Sequence, residues 1–387
     1  MTVHVDVSPD VLSWAEEVSS TNPDQLRTRF KRWDAWLSGD ARPTIKQVEQ
    51  IASATGVPFG YLLLPRPPQL RLPIADFREG VDANLRDSSP SANLLAVVNQ
   101  SLSRQAWYRE YAVTNDLPTV SVVGTGRSRT SVEVASDIRE HLNFEVSQRK
   151  GDHSDTRKAL LRGFENLGGL SVATSMVGNN RYRQLDPDEF RGFSLVDDYA
   201  PLIFVNAAQT LNGQIFTLAH ELGHIWLGQS GISNEDTSYT PSSNIERWCN
   251  QVASEVLVPQ DDLVPRLANI EGELTDSATL DRLAHVYRCG TLVVLLAMRR
   301  DGVVNPDRFE FEYDRELRRL RLLSKTEKVS GGGNHYSNQP FRVGDRLSRA
   351  LISDALEGNT PISEALSLMS MKSLSTFDEY ARRLGVA

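Results

Sequence analysis

Apolar positions recur at helical spacing from the start of the chain. Leu12, Ala15 and Val18 follow the helix-start signal Ser8-Pro9-Asp10, and Asn22-Pro23-Asp24 opens a second predicted helix. Ser38-Gly39-Asp40 marks a turn, and Pro43-Thr44 opens a helix with Ile45, Val48, Ile51 and Ala52 on one face. Four prolines between Pro65 and Pro73 make a stiff connector and the first predicted boundary. Leu94, Leu95, Val98 and Leu102 predict a helix over 91–113, and further helices are predicted over 131–142 and 156–166. The period then changes. Leu170–Thr174, Phe193–Val196 and Leu202–Asn206 are short, β-rich and bounded by Gly, Asp, Asn and Pro. Several helices with a few strands predict an α+β domain. A Gly-rich break at 329–334 precedes two or three more predicted helices. The expected segments are an all-α domain at 1–68, a linker and helical connector at 69–130, the α+β domain at 131–328 and a helical region at 329–387.

Composition narrows the class. The 387 residues are 40% hydrophobic and 24% charged, an ordinary globular mix. A net charge of −8 argues against a protein held to nucleic acid by bulk charge. Two cysteines, Cys249 and Cys289, make no disulfide framework and suit a reducing cytoplasm. The N-terminus carries no signal-peptide pattern, and the longest apolar run, Leu292–Met298, is too short to span a membrane. The expectation is a cytoplasmic protein with no membrane partner.

The chemistry concentrates in Ile-Phe-Thr-Leu-Ala-His-Glu-Leu-Gly-His-Ile-Trp-Leu-Gly, residues 215–228. His220 and His224 are one helical turn apart and share a face, so both imidazoles can reach one Zn²⁺. Glu221 beside them is placed to act as a base on water, whose pKa zinc lowers to about 7. A catalytic zinc usually takes three protein ligands, so a third is expected downstream. Residues 245–259 read as a second helix ended by Pro259. Glu246, near its start, is the candidate ligand, and Glu255, further along on the opposite face, is the competitor. Cys249 reads as a small buried neighbour of the site, with a ligand role as its alternative. Leu202, Phe204 and Asn206 are candidate substrate-binding residues if Leu202–Asn206 is an edge strand that pairs with an extended peptide; the other reading is a core strand. Tyr239, between the two helices, is a candidate oxyanion donor. His285 and His335 are weaker candidates, read as core or surface residues.

The two helices resemble the ImmA/IrrE metallopeptidases. That family pairs a His-Glu-x-x-His helix with a later Glu-x-x-Ala/Cys-Asn helix ending in Leu-x-Pro; here Glu246, Cys249, Asn250, Leu257, Val258 and Pro259 match. The resemblance is closest over Phe190–Pro259. It implies a zincin-like fold with a small mixed sheet, a zinc-dependent endopeptidase, and a repressor-type transcription regulator as the protein cut. The segment Trp36–Thr44, with Ile51-Ala52 and Gly56-Val57-Pro58, resembles the Cro/repressor (XRE) helix-turn-helix class. It departs from that class between Leu26 and Trp36, which lacks about four residues at the start of the base-reading helix. Residues 1–68 hold seven Lys or Arg against eight Asp or Glu, so weak, non-specific DNA binding at most is expected. The rival readings are a DNA-binding regulator whose peptidase-like domain is a sensor, and a toxin or defence component.

Overall fold

The structure, a computed structural model, describes residues 3–19, 21–76, 90–233, 243–326 and 342–386. Of these, the residues within Met1–Ile74, Gly80–Ser101 and Ser175–Asp186 form one compact unit. Its helices are α1 (Pro9–Glu17), α2 (Pro23–Arg29), α3 (Trp33–Leu37) and α4 (Ile45–Thr55), followed by a 3₁₀ turn at Phe59–Leu63. Local chemistry sets their ends. The Asn22 side chain accepts from the Asp24 N–H to start α2. Thr44 and Gln47 form a capping box at the start of α4, and Gly56, at φ 76°, ends that helix in the left-handed region. Leu12, Leu26, Trp33, Trp36, Val48 and Ile51 are buried together. The unit continues past the proline-rich boundary to Ile74 and takes in 175–186 from far along the chain. Arg183 ties that piece in, donating from Nε to Asn93 Oδ1 (2.9 Å) and from Nη2 to the Ala92 carbonyl (3.2 Å).

The second unit gathers the remaining described residues, including both the predicted catalytic segment and the C-terminal helices. After α5 (Ala92–Thr114), whose later part belongs here, come α6 (Ser131–Leu142) and α7 (His153–Asn166). The strands are β1 (Leu170–Thr174), β2 (Gly192–Leu195), β3 (Leu202–Asn206) and β4 (Gly231–Ser233), in the order β1-β3-β2-β4. β1 runs parallel to β3; the other two pairings are antiparallel. Between β3 and β4 runs α8 (Leu211–Leu227). Then follow α9 (Asn244–Leu257), α10 (Gln260–Leu267), α11 (Ser277–Tyr287), α12 (Thr291–Arg300) and α13 (Pro306–Thr326), and three helices at Asp345–Leu356, Ile362–Leu368 and Leu374–Leu384. The fold is α+β and largely helical, with a small mixed sheet, as the pattern predicts. No described helix is long and apolar enough to cross a membrane.

β3 lies inside the sheet, bonded to β1 on one side and β2 on the other. It has no free edge, so the substrate-strand reading of Leu202, Phe204 and Asn206 gives way to the core-strand one. Alternation explains each residue's part. Ile203 and Val205 join the core that buries Ile215, Leu218 and Leu222 of α8, while Phe204 stacks on Phe193 with ring centroids 4.6 Å apart. Asn206 is taken up by the backbone, donating to the Phe190 carbonyl (3.0 Å) and accepting from the Ala208 N–H (3.0 Å).

Candidate metal centre

α8 is an interior helix. Every residue from Gln214 to Trp226 is buried, as a helix apolar on all sides requires. The Thr210 side chain caps its start and Gly228, at φ 73°, ends it. In this setting two imidazoles and a glutamate are exceptional. Burying them is unfavourable unless each finds a partner.

His220 and His224 bring their Nε2 atoms to 3.1 Å of each other, with ring centroids 4.9 Å apart. α9 presents Glu246, fully buried, from its first turn. One carboxylate oxygen lies 3.0 Å from His220 Nε2 and the other 3.2 Å from His224 Nε2. These are ion-pair distances without hydrogen-bond geometry, so both buried oxygens remain unsatisfied by protein donors. Burial alone raises the Glu246 carboxyl, but the His220 and His224 imidazoles outweigh it and hold the group at about 2. Asn250, one turn along α9 from Glu246, places Oδ1 2.8 Å from His220 Nδ1. An N–H at Nδ1 leaves a neutral ring's lone pair on Nε2, aimed at the cluster. Gly223 faces Cys249 of α9 across this contact. The fully buried Cys249 completes a group with the two histidines whose ligand atoms lie within 4.8 Å of one another.

Glu221 points to the sheet. Its carboxylate accepts from Ser194 Oγ of β2 (2.5 Å) and from Ser233 Oγ of β4 (2.6 Å). Burial pushes the carboxyl upward, against the pull of both histidines and both hydroxyls. Small residues make this room. A Cβ on Gly192 would sit 2.9 Å from Glu221 Oε1 and 2.6 Å from Thr217 Cγ2. Ser194, Ser233 and Gly192 are absent from the sequence-level candidates, and only their serine and glycine character in otherwise apolar strands could have marked them.

Residues 176–299 match the Peptidase_M78 family, described as an IrrE N-terminal-like domain.

The M78-like stretch contains α8, α9, β2, β3 and β4, so every residue of the cluster lies inside it. Residues 343–383 match a domain of unknown function, DUF8813. None of the curated proteins matches the chain. Within the M78-like stretch the remaining candidates separate. Glu255 is turned away from the cluster, paired with Arg300 at 2.9 Å and with the Gln260 N–H at 3.2 Å. His285 is exposed beside Arg288 on α11, outside the cluster. Tyr239 lies outside the described residues, as does His335 of the later segment. The M78-like domain thus carries a buried group able to hold a metal ion, as in a metallopeptidase.

Proposed function

We propose that the chain is a zinc-dependent endopeptidase in which His220, His224 and Glu246 hold the metal and Glu221 is the base. The observation that carries the reading is the meeting of three donor groups from two helices around one point, with unsatisfied buried carboxylate oxygens among them. Two imidazole nitrogens and a carboxylate suit Zn²⁺, and Cys249 sits close enough to act as a further neighbour. When bound, the ion supplies Lewis-acid polarisation and makes water a usable nucleophile at neutral pH. The side chains do the rest. Asn250 fixes the His220 tautomer. Ser194 and Ser233 orient the Glu221 carboxylate, which takes the proton from the attacking water and delivers it to the leaving amine nitrogen.

The proposed target is a protein, a repressor-type regulator, and the support is the likeness of Phe190–Pro259 to the ImmA/IrrE pattern. DNA binding by the N-terminal unit is proposed to be weak and non-specific. α3 has five residues, about 8 Å of helix, and its Trp33 and Trp36 are buried.

The test is metal analysis of the purified chain, with co-incubation against a repressor encoded beside it. About one zinc per chain is expected. Glu246→Gln should weaken its retention while Glu255→Gln does not; the reverse result transfers the ligand role to Glu255.

A further inference from the structure

β4 closes one side of the sheet, and its outer edge is covered. Ile232 donates its backbone N–H to the Ala75 carbonyl at 2.9 Å, and Asp76 pairs with Ile232 in parallel. The three β4 residues are buried, yet Ala75 and Asp76 are both exposed. A buried edge strand therefore carries a guest that adds little packing of its own. The next residue along β4 is Ser233, whose hydroxyl holds Glu221. β3 is paired on both sides, and β1 lies at the opposite end of the sheet. Among the described strands, β4 is the edge adjoining the proposed base.

We propose that the outer edge of β4 is where an extended segment of a protein substrate docks, and that Ala75–Asp76 is a self-strand occupying that edge until substrate displaces it. The docking role rests on the peptidase reading above. Edge strands take up extended chains through main-chain hydrogen bonds, while side-chain pockets supply selectivity. The guest follows directly on the proline-rich run ending at Pro73. A tethered competitor of this kind acts at an effective concentration on the order of millimolar. A peptide that offers only backbone loses to it. A substrate that also engages side-chain contacts wins. The arrangement keeps the centre from general digestion without a separate inhibitor.

The test compares full-length chains in metal-free buffer by fluorescence anisotropy. The probe is a fluorescein-labelled peptide of residues 70–78, the chain's own segment. In a loosened chain, residues 74–76 are replaced by a twelve-residue Gly-Ser repeat. The probe should bind this chain at least tenfold more tightly than wild type. Ile232→Pro in the loosened chain removes the edge N–H and should abolish binding, whereas Ile232→Val should keep it. Thermal melts of both variants verify the fold. Equal affinity for wild-type and loosened chains, no binding to either, or binding that survives a folded Ile232→Pro chain would overturn the proposal. Hydrolysis by the zinc-loaded chains is scored separately. Tight binding without cleavage of any peptide counts against the peptidase reading and leaves the edge standing.

Discussion

The two walls around Glu221 are built from different kinds of structure. The metal-side wall is helical. His220 and His224 are set by one helix's pitch, and Glu246, Cys249 and Asn250 by another's, so each helix presents its group as a unit. The other wall is stranded. Its hydroxyls come from Ser194 and Ser233, on strands that neighbour each other only through sheet pairing. A one-residue slip in a helix pair moves a ligand part of a turn. In β2 or β4 it turns the serine to the opposite face altogether. The proposed metal group is thus set by local geometry, and the proposed base by register.

Substitutions can set one wall against the other. The largest effect is expected from Glu221→Gln, which keeps shape and metal but removes the base. Peptide hydrolysis should fall by roughly a hundred-fold or more, with zinc content unchanged; near-normal turnover would refute the base assignment. Asn250→Ala leaves both walls standing and frees the His220 ring to change tautomer. Zinc affinity, measured by competition with a chelator, should drop about 10- to 100-fold. Gly192→Ala presses from the stranded wall on two side chains of α8 that carry no metal donor. Its Cβ has no room beside Thr217 and Glu221, and overpacking of this kind costs about 1–3 kcal/mol. The melting temperature should fall while zinc affinity holds; an equal loss of zinc would mean the walls are not independent.

Glu165 provides a control outside both. Burial pushes its carboxyl from the usual 4.5 up to about 7, although it accepts from Ser171 Oγ (2.6 Å) and the backbone N–H groups of Arg346 and Asp345. A carboxyl with a raised native pKa holds its proton more tightly folded than unfolded. Its contribution is therefore greatest at low pH and is lost as pH rises from about 4.5 to about 7. The decline should reach about 2–3 kcal/mol. Glu165→Gln should flatten it in denaturant titrations at pH 5 and pH 8 without touching zinc binding.

The same contrast decided what could be read in advance. Helices α6 and α9 lie close to their predicted ranges, because their signals are local: Thr130 and Glu133 form a capping box at the start of α6, and Pro259 follows the end of α9. The cluster of His220, His224 and Glu246 was traceable because helical spacing projects directly into space. Strand order is not encoded that way. β3 read as a possible edge because nothing in Leu202–Asn206 tells which neighbours it will have. β4 was missed outright, as three residues, Gly-Ile-Ser, show no period. With it went Ser233 and the covering segment at Ala75. Asn250 stood in the recognised motif, but its role needed the 2.8 Å approach to His220. The unit that joins 175–186 to the earlier helices uses Arg183 and the Gln184 carbonyl, which accepts from Asn93 Nδ2 (2.8 Å), contacts no local pattern announces.

The two thiols turn the protein into its own clock. Neither Cys249 nor Cys289 forms a disulfide, both are fully buried, and burial pushes the Cys289 thiol up to about 12. Both sulfurs are shielded from a reagent in solution, so alkylation must wait for the surrounding helices to part. Cys249 reports the opening of α9 against α8, and Cys289 the opening around the end of α11. Their separate labelling rates measure how often each region breathes, in a chain that needs no added probe.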